Sequence, residues 1–199
     1  MTGGTPAKPR LRADARRNAE QIRRAAIGAF QGRGLGVPLE EVAKAAGVSK
    51  ATIFNRFGGR IGLIEAVIQE VVADELYAAI DRTRALAGAG ERVEYYLTAI
   101  RDLQYRQPTA NDVLLQEYPH SQQLMDICRA AGEIYGELVA AGHASGALRL
   151  DFTADDLHAL VVDNALALKH GTLPPRDAYD RRTAFLLGGI RGPQGPSRA

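Results

Sequence analysis

A short polar segment near residue 50 carries the residue types that bind nucleic acid. Ser49 suits the N-cap of a short helix that runs from Lys50 to Phe57. The positions expected to face outward are Lys50, Thr52, Asn55 and Arg56. A lysine can donate to guanine O6 or N7, and an arginine neutralises a backbone phosphate. The segment therefore predicts a surface that binds a DNA duplex.

Two helices joined by a tight turn are expected to position this segment. Apolar residues at 39–46 fall on one face of a short helix that Gly47 ends, and Pro38 suits its first turn. Ile53 and Phe57, one helical turn apart, are expected to face the interior. Two short helices joined by a turn that contains glycine form a helix-turn-helix.

The charge of the chain is divided between its two ends. Residues 1–60 hold 12 Lys or Arg against 4 Asp or Glu, a net charge of +8. Residues 61–199 hold 13 against 19, a net charge of −6. A basic segment on an otherwise acidic chain suits a polyanion, although charge alone leaves open a solvated basic face without a partner.

The stretch Val-Ala-Lys-Ala-Ala-Gly-Val-Ser-Lys-Ala-Thr-Ile-Phe-Asn-Arg-Phe at residues 42–57 resembles the TetR family of bacterial transcriptional regulators. The resemblance extends back through residues 25–30 and forward through residues 60–64. It implies an all-α fold, in which an N-terminal helix-turn-helix domain of three helices precedes a C-terminal helical effector and dimerisation domain. We expect a flexible basic arm at residues 1–12, the DNA-binding domain at 13–59, the ligand-binding and dimerisation domain at 60–191, and a flexible tail at 192–199.

The resemblance also implies roles for individual residues. The helix that follows Ser49 would be the recognition helix in the major groove, with Lys50, Ala51 and Phe54 near base edges. The remaining contacts would be to phosphates, and Arg60 matches a family lysine that grips the DNA backbone. The expected DNA contacts are Lys44, Lys50, Ala51, Thr52, Phe54, Asn55, Arg56, Arg60 and Arg16.

Two points about this surface stay open. Phe54, Asn55 and Arg56 stand where the family often has a tyrosine, an aromatic residue and a histidine, so the operator sequence is not predicted. Arg16 and the neighbouring arginines could reach the minor groove or the backbone, or could stay solvated. A purely structural helical hairpin is the alternative for residues 37–57.

Beyond Gly58 and Gly59 the sequence predicts helices alone. A wide apolar stripe predicts a fourth helix from Arg60 to about Ala87. Later helices are expected at roughly 91–106, 109–115, 120–142, 154–170 and 175–191. No stretch alternates with period two for long enough to predict a sheet.

The last two helices are expected to form a homodimer interface. Their apolar stripes are Leu157, Leu160, Val161, Ala165 and Leu168, and Tyr179, Leu186, Leu187 and Ile190. In TetR-like proteins such helices pair with their symmetry mates into a four-helix bundle. A dimer would hold two recognition helices about 34–36 Å apart, which matches successive major grooves. Packing of both stripes within one subunit is the alternative.

The middle helices hold polar and aromatic residues that suit a small-molecule pocket, which needs apolar walls and a few polar groups. The candidate ligand contacts are Tyr95, Tyr96, Tyr105, Arg106, His120, Met125 and Cys128. Arg106 and His120 favour an anionic or polar ligand. We expect the unknown effector to shift a population of domain arrangements and so release the operator, with the fourth helix as the transmitting element.

Other classes of protein find little support. The sequence lacks the GxGxxG, P-loop, HExxH and GxSxG motifs, so we expect no enzyme, no cofactor and no metal site. No apolar run reaches the length of a membrane span, so a cytoplasmic protein is expected. Cys128 is expected to be buried and inert rather than a redox sensor. A DNA-binding dimer without an effector, or a small helical enzyme with a DNA-binding appendage, are the alternatives.

Overall fold

The chain forms helices because apolar residues recur at helical spacing between connections rich in glycine and proline. The computed structural model describes residues 7–116, 118 and 120–192, with side chains from residue 13 onward. Its helices are α1 (Ala7–Arg33), α2 (Leu39–Ala45), α3 (Lys50–Phe57), α4 (Arg60–Ile68), α5 (Asp74–Ala85), α6 (Ala89–Arg106), α7 (Pro108–Leu115), α8 (Gln122–Ser145), α9 (Ala154–His170) and α10 (Arg176–Ile190). The predicted all-α fold class is confirmed. Over the described ranges the one extended pairing is a bridge between Leu148 and Arg191.

The chain divides into two compact units at Glu70 and Val71. The first unit holds α1 to α4, and the second holds α5 to α10. The sequence predicts the division ten residues earlier, at Arg60. The difference arises because α4 packs against α1 and α3 and so completes the first unit.

The core of the first unit joins one apolar face from each of its four helices. Ile22 and Phe30 of α1 are fully buried, as are Val42 of α2, Ile53 of α3 and Leu63 of α4. Each such side chain stabilises the fold by about 1.5–3 kcal/mol through removal of apolar surface from water. The predicted inward position of Ile53 is confirmed, whereas Phe57 is half-buried.

The ends of the chain differ from expectation. Because α1 begins at Ala7, residues 7–12 are helical rather than part of a flexible arm. Residues 1–6 and 193–199 of the expected arm and tail lie outside the described residues. Gly192, the first residue of the expected tail, is held by the hydrogen bond that its N–H donates to the carbonyl of Ala147 at 2.9 Å.

The predicted fourth helix is interrupted. A π-helical stretch, Gln69–Ala73, separates α4 from α5, and α5 ends at Ala85. A π-turn inserts an extra residue into the helix, which changes the register of the apolar stripe. In this way Val71, Val72 and Ala73 are all buried although they are consecutive in the sequence.

The second unit is organised around α6, which packs against α5, α7, α8, α9 and α10. A buried polar network ties α6 to α9 and α10. Asn164 donates to Gln104 Oε1 at 2.7 Å and to the Tyr179 hydroxyl at 2.9 Å. The Tyr179 hydroxyl in turn donates to the carbonyl of Arg101 at 2.8 Å. Paired buried polar groups of this kind specify one packing arrangement.

Most residues of the predicted interface stripes face the interior of the second unit. The residues buried within the unit itself are Leu157, Val161, Ala165, Tyr179, Leu187 and Ile190. Leu160, Leu168 and Leu186 are half-buried. Six of the nine stripe residues therefore pack within one subunit, as in the alternative that the sequence leaves open, and the dimer interface stays a prediction. The exposed apolar side chains of α9 and α10 are instead Leu166 and Phe185, which are 42% and 72% exposed.

Candidate nucleic-acid interface and small-molecule cavity

Both ends of α3 are defined by local hydrogen bonds. The Ser49 hydroxyl accepts a hydrogen bond from the backbone N–H of Thr52 at 3.2 Å, which satisfies a free donor at the helix start. At the other end Gly58 has a φ of +72°, and its N–H donates to the carbonyl of Phe54 at 2.9 Å. A residue without a Cβ adopts this left-handed cap at little cost. The helix therefore spans the predicted residues, Lys50–Phe57.

The outer face of α3 is open to solvent. Lys50, Ala51, Asn55 and Arg56 are exposed, and Phe54 is 49% exposed. Since Ile53 on the opposite face is fully buried, the helix presents one fixed side outward. Of the six α3 residues that the sequence predicts for base and phosphate contacts, five are therefore exposed and Thr52 is half-buried.

The Phe54 ring lies close to the backbone of Gly59. A Cβ added to Gly59 would approach the Phe54 ring to 2.9 Å, closer than carbon atoms pack. The absence of a side chain at Gly59 therefore leaves room for the ring. An aromatic ring held at this surface can contact a thymine methyl group.

Lys50 is not free on this surface. Its ammonium group forms an ion pair with the carboxylate of Glu40 on α2. The hydrogen bond from Lys50 lowers the pKa of Glu40 below its usual range. Thr52 is half-buried, and its hydroxyl lies 2.9 Å from that of Ser49. Both side chains therefore have partners within the helix-turn-helix.

Arg60 differs most from its expected role. Its guanidinium donates to the carbonyl of Val37 at 2.5 Å and also to that of Leu35. Both acceptors lie in the connection between α1 and α2. Arg60 is half-buried there, so the residue expected to grip phosphate holds the protein backbone.

A second residue, Gln21, fixes the helix-turn-helix from α1. Its side-chain amide donates to the carbonyl of Ala46 at 2.9 Å, beside the turn between α2 and α3. Sequence reasoning missed this contact. Helical spacing places Gln21 beside the buried Ile22, but it does not show that an acceptor lies within reach.

The remaining DNA candidates are Lys44 and Arg16, and both are exposed. Arg16 lines an open surface recess of about 370 Å³ together with Arg17, Ala19, Glu20 and Arg23. Arg17 is paired with Asp14, and Arg23 lies 3.0 Å from the carboxylate of Glu70. The side chains of Arg10 and Arg12 lie outside the described part of the chain.

The second unit contains a cavity of about 60 Å³. Its walls come from the π-helical stretch and from α5 to α9. They are Val72, Leu76, Tyr96, Ile100, Leu103, Gln104, Ala110, Val113, Leu114, Ile127, Cys128, Ala131, Tyr135 and Val161. A wider recess of about 500 Å³, lined by Gln116, Tyr118, Leu124, Met125 and Arg129, shares Leu114 and Cys128 with the cavity. Leu114 and Cys128 therefore line both volumes, which lie side by side.

Three of the seven predicted ligand contacts lie at these volumes. Tyr96 and Cys128 line the cavity, and Met125 lines the recess. Tyr95 and His120 are exposed elsewhere. Tyr105 donates from its hydroxyl to the carbonyl of Pro174 at 2.9 Å.

Arg106 also lies away from the cavity. It forms ion pairs with Glu75 at 2.6 Å and with Asp102 at 2.7 Å. These two carboxylates raise the pKa of its guanidinium above the usual range. Because both carboxylates already neutralise this cation, Arg106 offers no argument for an anionic ligand.

Sequence reasoning missed the aliphatic walls of the cavity. Val72 and Leu76 fall within an apolar stripe that indicates core packing in general. Helical periodicity identifies the inward face of a helix, but it does not show where the packing leaves a void.

Cys128 is exposed, which corrects the expectation of a buried cysteine. Partial burial of its sulfur still raises the pKa of the thiol, so the thiolate is disfavoured at neutral pH. Across the described residues, no group of three or more His, Cys, Asp or Glu side chains is arranged to hold a metal ion. No described helix is long and apolar enough to cross a membrane.

A known protein family matches the sequence of the first unit. Residues 22–67 match the family model described as bacterial regulatory proteins, tetR family. The matched range contains α1 from Ile22 onward, all of α2 and α3, and α4 up to Val67. No curated protein matches the sequence.

Solved structures match the fold over both units. The ketosteroid transcriptional regulator KstR2 of Mycobacterium tuberculosis is 19% identical, with a TM-score of 0.67 over 88% of this chain and 95% of that one. A tetR-family regulatory protein from Rhodococcus RHA1 is also 19% identical, with a TM-score of 0.66 over 88% and 97%. The fatty acid degradation regulator FadR of Bacillus halodurans is 17% identical, with a TM-score of 0.57 over 86% and 99%.

The helix-turn-helix, its exposed recognition surface and the matching family model together define a class of protein. Residues 22–67 are similar to the tetR family of bacterial regulatory proteins, and the fold of the chain is that of solved transcriptional regulators. The predicted resemblance is thereby confirmed.

Proposed function

We propose that this regulator is a transcriptional repressor, which binds its operator as a homodimer and leaves it when a small molecule binds the second unit. The observation that carries the DNA-binding part is the outer face of α3. A capped helix there presents Lys50, Phe54 and Arg56 to solvent on a rigid core. This is the arrangement with which a recognition helix reads the major groove.

Base reading is assigned to Lys50 and Phe54, and phosphate binding to Asn55 and Arg56. Lys50 would leave Glu40 to donate to a guanine, while the Phe54 ring contacts a thymine methyl. The positive end of the α3 dipole adds attraction for the DNA backbone. Lys44 and Arg16 extend the basic surface. Arg60 supports this surface from within the protein rather than by direct contact.

The homodimer is assigned to the outward faces of α9 and α10. Leu166 and Phe185 are large apolar side chains exposed on these two helices. Ala184, Gly188 and Gly189 beside Phe185 are small enough for close approach of a second helix, and Arg181 and Arg182 are exposed one turn earlier. A two-fold dimer through this face would place two recognition helices on one duplex.

The effector site is assigned to the cavity together with its recess. A recess of about 500 Å³ is within the size range of small-molecule sites, and its walls are largely apolar. A ketosteroid transcriptional regulator and a fatty acid degradation regulator are among the solved proteins with this fold. In the cavity wall, Val72 lies in the π-helical stretch that follows α4, and Leu76 lies in α5 just beyond it. A ligand that contacts this wall would shift α4 through the π-helical stretch.

The DNA-binding proposal is tested by selecting sequences from a random duplex library and measuring affinity by fluorescence anisotropy. With three or four cationic contacts per subunit, the slope of log affinity against log salt is expected to be roughly −6. Lys50→Ala should cost about 1–3 kcal/mol on the selected sequence and little on random DNA. Arg82→Ala, which removes an exposed charge from α5, is the matched control.

Failure to bind any duplex at low ionic strength would refute the proposal. Equal losses of specific and random binding in Lys50→Ala would refute its role in base reading. Phe185→Glu should convert the dimer to a monomer in analytical ultracentrifugation, whereas Leu150→Glu, at an exposed site between α8 and α9, should not.

Repression and release need a separate measurement. A reporter gene placed behind the selected operator should be silenced by the regulator and induced by a compound that binds the second unit. A regulator without an effector would stay bound when the recess is occupied. Turnover of the bound compound would instead favour the enzyme alternative.

A further inference from the structure

Tyr96 is a buried phenol in the wall of the cavity, and its hydroxyl lacks a partner. The side chain is 0% exposed, and the hydroxyl makes no hydrogen bond to any residue that the structure describes. Buried polar groups are almost always paired, because an unpaired one loses its hydration without compensation. An unpaired donor in a cavity wall therefore indicates a partner that is not part of the protein.

The other polar groups of the cavity are already engaged. Gln104 donates to the carbonyl of Val161 at 2.9 Å and accepts from Asn164 at 2.7 Å. Tyr135 packs edge-on against Tyr96, with ring centroids 6.0 Å apart, and its hydroxyl contributes to the raised pKa of the Tyr96 phenol. Because each phenol carries one O–H donor, a contact between the two hydroxyls still leaves one donor without an acceptor. Burial raises the pKa of both phenols, so both stay protonated at neutral pH.

The cavity offers no charge to a ligand. No Lys, Arg, His, Asp or Glu side chain contributes to its walls within the described ranges. A carboxylate placed there would lose its hydration without gaining a cation, which is strongly unfavourable. Arg129, which lines the recess, forms an ion pair with Asp126.

The size of the cavity sets the shape of the ligand. A volume of about 60 Å³ has room for a small end group alone. The recess of about 500 Å³ adjoins it at Leu114 and Cys128, and it can hold the larger part of a molecule. A ligand that reaches Tyr96 would thus pass Cys128.

We propose that the effector is an uncharged, elongated and largely apolar molecule with an oxygen acceptor at one end, and that this oxygen accepts a hydrogen bond from Tyr96. A ketone or an ester carbonyl has this chemistry. The apolar remainder lies in the recess against Leu124 and Met125. This inference rests on the proposed effector site and adds the chemical class of its ligand.

The test uses three probes that differ in one group: methyl pentyl ketone, the alkene in which a methylene group replaces its oxygen, and hexanoate. Their dissociation constants are measured by NMR titration of the full-length wild-type protein, Tyr96→Phe and Tyr135→Phe. For each probe, the dissociation constant of the variant is divided by that of the wild type. This ratio removes the contribution of the probe's own hydrophobicity, so the three probes can be compared. Phenylalanine keeps the ring, and thermal unfolding confirms that each variant is folded.

Tyr96→Phe should raise the dissociation constant of the ketone about tenfold and that of the alkene less than twofold. Tyr135→Phe should change the ketone less than twofold, and hexanoate should bind more weakly than the ketone to all three proteins. Saturating ketone should also slow the alkylation of Cys128 by N-ethylmaleimide, since the ligand covers the boundary between cavity and recess.

Equal effects of Tyr96→Phe on ketone and alkene would overturn the inference, as would a loss confined to Tyr135→Phe. Failure of all three probes to bind the wild type would overturn it as well. Probes that bind in the expected order but leave operator affinity unchanged would refute effector release and leave the ligand class standing. The two proposals are thus separable.

Discussion

The guanidinium of Arg60 donates to the carbonyl oxygen of Val37 at 2.5 Å, so the first residue of α4 holds the connection between α1 and α2. A second hydrogen bond to Leu35 uses the same group. Hydrogen bonds from a charged donor contribute about 1.5–3 kcal/mol each before solvent exposure reduces them. The role of Arg60 is therefore structural as the structure stands, and its removal should affect the protein without DNA.

Arg60→Ala should lower the free energy of unfolding by about 1–3 kcal/mol in the absence of DNA, measured by urea denaturation. Arg56→Ala is the matched control, because Arg56 is exposed on α3. The control should change stability by less than about 0.5 kcal/mol but reduce the salt slope of DNA binding by about 1. If Arg60→Ala instead leaves the denaturation midpoint unchanged and reduces the salt slope, then Arg60 contacts phosphate.

Glu40 competes with DNA for Lys50. Glu40→Gln keeps the size of the side chain but removes the charge that holds the ammonium group. DNA affinity should rise several-fold at low salt, and the gain should shrink as salt is added. Glu41→Gln, at the next residue of α2, frees Arg33 of α1 and tests whether any lost negative charge has this effect. An equal gain in both variants would mean that Lys50 is not specifically restrained.

Gly62 and Gly28 should respond in opposite directions to alanine. A Cβ on Gly62 would lie 1.8 Å from the carbonyl oxygen of Phe57, so α3 and α4 would have to separate. Gly28 has no atom within 4 Å of the corresponding position on α1. Gly62→Ala should therefore cost about 3 kcal/mol, whereas Gly28→Ala should stabilise the helix by about 1 kcal/mol. Thermal unfolding distinguishes the two, and a stable Gly62→Ala variant would contradict this packing.

Alkaline pH should destabilise the second unit. Burial raises the pKa of Tyr135 to about 12 and that of Tyr96 well above its usual range. In the unfolded chain a tyrosine loses its proton near pH 10. The unfolded state then binds fewer protons than the folded state, so stability is fully present below about pH 10 and falls as pH rises towards 12.

The absorbance of tyrosinate during an alkaline titration measures this effect directly. Tyr96 and Tyr135 should ionise at a higher pH than a tyrosine of the unfolded chain, or together with unfolding. In Tyr135→Phe the decline of stability between pH 10 and 12 should be shallower. An identical decline in this variant would show that other groups cause the alkaline transition.

The helix-turn-helix was largely predictable because its determinants are local. Ser49 caps α3, Gly58 ends it, and Ile53 marks its buried side, all within one short segment of the sequence. The predicted bounds of α3 and α9 are those observed. The π-helical stretch at Gln69–Ala73 was not predictable, because helical periodicity does not show where one extra residue is inserted into a helix.

The amino-acid sequence by itself determined most of the helices, the helix-turn-helix and the resemblance to the TetR family, because periodicity, caps and turn glycines act between near neighbours. The tertiary structure alone decided that Arg60 holds the backbone at Val37 and that Lys50 is paired with Glu40. It also decided that the stripes of α9 and α10 face inward and that Tyr96 lacks a partner beside a cavity. These features depend on groups that are distant in sequence and meet after packing, so no local pattern encodes them.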